Sequence, residues 1–289
     1  MVEIVETPRD AMQGIQPFIP TRSKADYINA LLKVGFDIID FGSFVSPKAI
    51  PQLRDTAKVL EMLDIDNTKT RLLAIVGNQR GAEEAAIYDK VTYLGYPHST
   101  SDIFLQKNIN STLEKSRKTV EALKNICSKN GKILSVYYSM CFGNPYGEEW
   151  NPEQLWQETE IMRQMGVTRI VLSDTIGVAT PESIRHTFRQ LVPSFPDIQF
   201  GLHIHSTMQQ WYEKIDEAYK GGCRSFEGVL NGLGGCPMAG HELVGNLRTG
   251  LLLEYFEKNG IPVKIDKEAF ENAITKSITT FALLKFKKF

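Results

Sequence analysis

His203 and His205 stand one residue apart in the run Gly201-Leu202-His203-Ile204-His205. On a β-strand, residues two apart point to the same face, so both imidazoles face one way and Leu202 and Ile204 the other. Two neutral imidazoles side by side can share one metal ion; a hydrogen-bonded pair of core histidines is the plainer use of so short a pattern. Asp10, in Thr7-Pro8-Arg9-Asp10, and Asn246 add a carboxylate and an amide oxygen. Two nitrogens and two oxygens, with positions left for water and substrate, suit octahedral Mg²⁺ or Mn²⁺. The two histidines and one carboxylate would equally suit the facial triad of a non-haem iron oxygenase. Arg9 offers a forked donor for a carbonyl or a developing enolate oxygen, against the plainer reading of a surface ion pair. Asp174, in Ser173-Asp174-Thr175, either orients a ligand histidine or caps the turn at Gly177. In Asn231-Gly232-Leu233-Gly234-Gly235-Cys236-Pro237, three glycines in four positions precede a thiol. Such a backbone enters positive φ and approaches a ligand closely, which makes Cys236 a candidate acid or nucleophile, against a turn with a small buried cysteine.

These side chains need elements to hold them. Apolar, β-rich runs fall at 2–6, 36–41, 71–76, 90–94, 133–138, 169–172, 199–203 and 224–229, with amphipathic stretches between them. Ser23-Lys24-Ala25-Asp26 and Ser111-Thr112-Leu113-Glu114 read as capping boxes, Pro152 and Pro181 (behind Thr180) as first-turn prolines, and Gly35 and Gly166 as helix stops. Eight strands, each followed by a helix, fit a (β/α)8 TIM barrel in one domain, 1–289, with an extra C-terminal helix after about Asp266. A doubly wound sheet is the alternative, but no GxGxxG or GxxxxGK[ST] follows the first strand. Barrel chemistry gathers at the C-terminal strand ends. That census yields Arg9, Asp10 and Gln13 after the first strand, Asp40 at the second and Asp174 at the sixth. The seventh gives His203 and His205, and the eighth leads to the glycine loop and Asn246.

Net charge is −1, so no global basic field points to nucleic acid or to an anionic membrane, and an anionic substrate would need a local patch. Four scattered cysteines without a CxxC pair argue against a disulfide framework or structural zinc and favour a reducing compartment. No apolar run is long enough to span a bilayer, and MVEIVETPRD carries no signal-like core. The expected location is the cytoplasm.

Taken in order, the motifs resemble those of the 3-hydroxy-3-methylglutaryl-CoA lyase family, metal-dependent barrel lyases related to isopropylmalate and homocitrate synthases. The pieces are Glu6-Thr7-Pro8-Arg9-Asp10-Ala11-Met12-Gln13, Ser43-Phe44-Val45-Ser46-Pro47-Lys48, Lys107-Asn108-Ile109-Asn110 and Asn144-Pro145-Tyr146, followed by Asp174-Thr175-Ile176-Gly177-Val178, Leu202-His203-Ile204-His205 and Gly232-Leu233-Gly234-Gly235-Cys236-Pro237. The resemblance implies cleavage of 3-hydroxy-3-methylglutaryl-CoA to acetyl-CoA and acetoacetate, with Asp10, His203, His205 and Asn246 as ligands of Mg²⁺ or Mn²⁺. It further implies Arg9 as the enolate's partner, Cys236 and His203 as proton-transfer groups, a catalytic carboxylate at Asp40, and a homodimer acting on an acyl-CoA. Departures from the family's pattern are Asp40 for glutamate, Ala11 for glycine, Ser206 for an acidic residue, Leu247-Arg248-Thr249-Gly250-Leu251 after Asn246, and one extra residue between Cys236 and Asn246, where His241 and Glu242 lie. They bear on substrate identity more than on metal chemistry. A related aldolase or Claisen-type lyase on another 3-hydroxyacyl-CoA or 2-oxo acid is the second enzymatic reading. A metal-binding barrel without catalysis is the third reading.

Overall fold

The structure, a computed structural model, describes residues 2–206, 209–234 and 245–281 and the backbone of 285–286. Its strands are β1 (Glu3–Glu6), β2 (Ile15–Gln16), β3 (Ile38–Ser43), β4 (Arg71–Ile75), β5 (Val91–Ser99), β6 (Ile133–Ser139), β7 (Arg169–Asp174), β8 (Gln199–Ile204), β9 (Ser225–Gly228) and β10 (Lys285–Phe286). Its helices are α1 (Pro8–Gln13), α2 (Thr21–Val34), α3 (Thr56–Glu61), α4 (Gln79–Ala86), α5 (Asp102–Ile109), α6 (Leu113–Lys129), α7 (Pro152–Gln164), α8 (Pro181–Ser194), α9 (Trp211–Lys220), α10 (Thr249–Lys258) and α11 (Lys267–Phe281). Eight strands close a barrel in the order β1-β3-β4-β5-β6-β7-β8-β9, all pairings parallel, with β9 returning to β1. This is the TIM barrel the alternating pattern predicts, and α11 is the expected C-terminal helix. The antiparallel pair of β2 with β10 was not foreseen.

Strand alternation sorts the core into two layers. Val5, Ile38, Leu73, Ile75, Tyr93, Tyr137 and Val171 fill the lumen. Ile4, Ile39, Phe41, Leu202, Ile204 and Phe226 pack outward against the helices. The sequence-based face assignment of Leu202 and Ile204 therefore holds. In β3 the pairing with β4 skips a residue between Asp40 and Gly42, a bulge of the kind that re-aims side chains near barrel rims.

Several helix boundaries differ from expectation. The segment at Ser23 is not a cap: α2 starts at Thr21 behind Pro20, without a side-chain cap, and ends as expected at left-handed Gly35. Thr112, rather than Ser111, caps α6 by accepting from Lys115 N. Thr180 caps α8 ahead of Pro181 as expected, in a reciprocal box with Ser183. Asp40 sits within β3 rather than at its end, and β5 runs on to Ser99, well past position 94.

Candidate active site

The first strand leads straight into α1, whose proline start and single turn and a half carry Arg9, Asp10 and Gln13 over the C-terminal mouth of the barrel. Arg9 Nη1 donates to Asp10 Oδ1 and to Gln13 Oε1, both at 2.9 Å, and Gln13 Nε2 donates to Asp10 Oδ1 at 2.9 Å. Arg9 Nε donates to Asp40 Oδ2 at 2.9 Å, with Nη2 at 2.7 Å from the same oxygen. Asp40 is fully buried behind the guanidinium, so it anchors Arg9 and does not line the cavity. Burial pushes the Asp40 carboxyl up to about 7, with Arg9 opposing and Glu227 and Asp10 reinforcing the rise. Arg9 is thus no loose surface ion pair; its head is clamped on two carboxylates.

His203 and His205 reach the same mouth from the end of β8. Their Nε2 atoms lie 3.2 Å apart, close to the roughly 3 Å edge of an octahedron with bonds of about 2.1 Å. Asp10, His203 and His205 each present one ligand atom, all within 4.8 Å of one another. Asn246 joins them: His205 and Asn246 form an antiparallel bridge, and Asn246 Nδ2 donates to Asp10 Oδ2 at 2.6 Å and to Leu233 O at 2.9 Å. The amide nitrogen thereby fixes the side-chain orientation, and Asn246 Oδ1 is left buried without a hydrogen-bond partner. An orphaned buried acceptor is costly unless a cation or water meets it, so the donor set fits a divalent ion. Electrostatics agree. Burial alone would raise Asp10, but Arg9, His203 and His205 bring its carboxyl below the usual value. Burial alone would lower His203, yet the hydrogen bond and charge of Glu227, with Asp10, raise it.

Glu227 lies in β9, where the sequence shows only a strand-like run. It pairs in register with His203 across β8 and β9, accepts from Tyr137 Oη at 2.9 Å, and lies 3.0 Å from His203 Nδ1. A carboxylate on Nδ1 fixes the ring and turns Nε2 to the ligand cluster. The only hint was its parity with Ser225 in the strand. Asp174, one of whose readings gave it that orienting role, takes the other: its carboxylate accepts Val178 N at 2.9 Å and Ala179 N at 3.0 Å, and Lys214 Nζ lies 3.8 Å away.

Glycines let the two arms around the site close up. Gly234, at φ +91°, has no room for a Cβ, which would fall 2.6 Å from Asp10 O and 2.9 Å from Asn246 Nδ2. Cys236, His241 and Glu242 lie outside the described residues.

Arg9, Asp10, Gln13, His203 and His205 form the floor of a cavity of about 830 Å³, walled by Ile75, Phe104, Tyr137, Ser139, Ser173 and Thr175. Its exposed rim carries Lys48, Arg54 and Lys107, a local cationic edge despite the net charge of −1.

The arrangement has relatives. The HMGL-like family model matches residues 2–275. The chain is 32% identical over 269 residues to a hydroxymethylglutaryl-CoA lyase of Bacillus subtilis, covering 92% of this chain and 88% of that protein. It is 30% identical over 278 residues to an (R)-citramalyl-CoA lyase of Chloroflexus aurantiacus, covering 93% and 87%. The structure is similar to that of an HMG-CoA lyase from Acinetobacter baumannii in complex with coenzyme A and 3-methylmalate, with a TM-score of 0.90 at 28% identity, covering 98% of this chain and 92% of the other.

Proposed function

This chain belongs to the HMGL-like family and is a lyase, and on that basis we propose that it cleaves 3-hydroxy-3-methylglutaryl-CoA to acetyl-CoA and acetoacetate with a divalent cation, Mg²⁺ or Mn²⁺. The observation that carries the proposal is the convergence of Asp10, His203 and His205 beside Arg9, with the Asn246 Oδ1 acceptor otherwise unmatched. Asp10, His203, His205 and Asn246 would hold the ion. When bound, a divalent cation supplies a Lewis acid that acidifies the substrate's tertiary hydroxyl and orients its oxygens.

The chain's own groups do the rest. The hydroxyl proton leaves, the bond between the carbinol carbon and the α-carbon of the thioester breaks, and its electron pair passes to the thioester enolate. Arg9, held on Asp40 and Asp10, keeps its guanidinium at the cavity floor, where developing enolate charge is stabilised without reorganisation. His203, braced through Nδ1 by Glu227, and Cys236 are the groups that the resemblance assigns to proton transfer to and from the substrate. Lys48, Arg54 and Lys107 favour an anionic substrate at the rim, in keeping with a coenzyme A thioester. The protein is proposed to work in the cytoplasm as a homodimer, as one domain spanning 1–289.

The (R)-citramalyl-CoA lyase relative favours a second reading. Citramalyl-CoA also has a tertiary hydroxyl β to its thioester carbonyl, and its carboxylate lies one methylene closer. A single methylene is worth about 10–200-fold in discrimination. Parallel assays of both thioesters with Mg²⁺, following acetyl-CoA together with acetoacetate or pyruvate, decide between them. Higher kcat/KM on the glutaryl thioester supports the first reading; preference for citramalyl-CoA transfers the assignment to the second.

A further inference from the structure

Glu6 opens the motif that carries Arg9 and Asp10 but takes no part in the metal cluster, and its carboxyl is fully buried. By strand parity it points away from the lumen, since its neighbour Val5 faces inward. There its two oxygens meet the two roots of the segment that carries the glycine loop and Asn246. Oε1 accepts from Leu230 N at 2.7 Å, just before the loop, and Oε2 accepts from Thr249 Oγ1 at 2.5 Å, just after it. Gly228, paired in register with Glu6 across β1 and β9, makes this approach feasible. A Cβ there would stand 2.7 Å from Thr249 Oγ1 and 3.0 Å from its Cα. The two roots touch each other as well: Val229 N donates to Leu247 O at 2.9 Å and Thr249 N to Val229 O at 3.2 Å. A Cβ on Gly232 would fall 3.0 Å from Asn246 O. On the outer side, Asn231 Nδ2 donates to Ser277 Oγ of α11 at 2.5 Å.

We propose that Glu6 is a positioning residue that buckles the roots of the 230–249 segment together and so holds Asn246 and Gly234 against Asp10. The assignment rests on the metal-site reading only for its consequence, not for the buckle itself. Only Leu247 and Arg248 separate Thr249 from Asn246, and Asn246 Nδ2 is bonded to both Asp10 and Leu233. Loosening one root therefore frees the donor oxygen that completes the ligand set. Glutamine can reproduce both contacts: its Oε1 accepts from Leu230 N, and its Nε2 donates to a rotated Thr249 hydroxyl. Alanine reproduces neither contact.

Glu6→Ala, Glu6→Gln and Thr249→Val test the buckle with two readouts. Amide exchange followed over 226–234 and 245–252 is expected to quicken roughly tenfold in Glu6→Ala, less in Thr249→Val, and not in Glu6→Gln. Mn²⁺ titrated into the full chain is expected to bind about tenfold more weakly to Glu6→Ala, with Glu6→Gln retaining wild-type affinity. Thr249→Val removes one arm alone and keeps the test in force if Glu6→Ala does not fold. Unchanged exchange in both Glu6→Ala and Thr249→Val overturns the proposal. Equal loss of Mn²⁺ affinity in Glu6→Ala and Glu6→Gln also overturns it, since glutamine keeps the contacts. If the wild-type chain takes up no Mn²⁺, the metal reading fails, while exchange still decides the buckle.

Discussion

Arg9 and Glu227 show how much of this site depends on single contacts. Arg9 does not touch its position through one partner; Asp40, Asp10 and Gln13 all fix its head. A guanidinium so held stabilises charge that develops only during bond cleavage, so Arg9→Met is expected to lower kcat by about 100-fold or more. The ligands remain, so bound metal, measured by elemental analysis, should stay at the wild-type level; loss of metal would reassign Arg9 to ion binding. Glu227 holds His203 Nδ1 and also accepts from Tyr137. Glu227→Gln, which keeps the size of the side chain but not its charge, should weaken Mn²⁺ affinity by about 10-fold, read by titration calorimetry. Unchanged affinity would show that His203 is oriented by packing alone. Arg9, Asp10 and the histidine pair were legible because they stand at or just beyond C-terminal strand ends, and strand parity gives the face of the two histidines. Glu227 was not, because its role depends on the register of β8 against β9, which no local pattern encodes.

At the scale of elements, the strands and the bulk of the helices follow from periodicity, and the errors are errors of capping and length. Ser23 carries cap chemistry but lies inside α2, which Pro20 starts instead. Asp174 was open to two uses, and the amides of Val178 and Ala179 claim it for the loop after β7. Glu6 links strand and loop in a way that pH reads out. Burial pushes its carboxyl up to about 8, while the bonds from Thr249 and Leu230 oppose the rise. In the unfolded chain the group titrates near 4.5, so between these values the folded state holds more protons and stability falls as pH rises. Tyr27 is a titratable group that Glu6 acts on, and its hydroxyl is itself held neutral well above its usual range by burial and by Glu6. The thermal midpoint of the wild type should therefore fall by several degrees more than that of Glu6→Gln between pH 6 and 9, taking roughly 2–4 °C per kcal/mol. Parallel declines in the two proteins would mean that Glu6 is already ionised in the folded state at pH 6, as it is in the unfolded chain.

For the whole molecule, a closed parallel barrel gathers residues from positions 9 to 246 at one mouth, which is why motifs scattered over the chain describe a single place. No helix among the described residues is long and apolar enough to cross a membrane. The cationic rim around a neutral-to-acidic chain was foreseeable only as a requirement, because Lys48 and Arg54 come from the connection after β3 and Lys107 from α5, far along the chain. The central claim is that carbon–carbon cleavage depends on an ion held by Asp10, His203, His205 and Asn246. Acetyl-CoA release from 3-hydroxy-3-methylglutaryl-CoA, measured on chelator-stripped protein during back-titration with Mn²⁺, tests it most directly. Turnover should vanish on stripping and return with one Mn²⁺ per chain, and His205→Ala should need far more metal to recover. Undiminished turnover in the stripped protein, or identical titration curves for wild type and His205→Ala, would contradict the account.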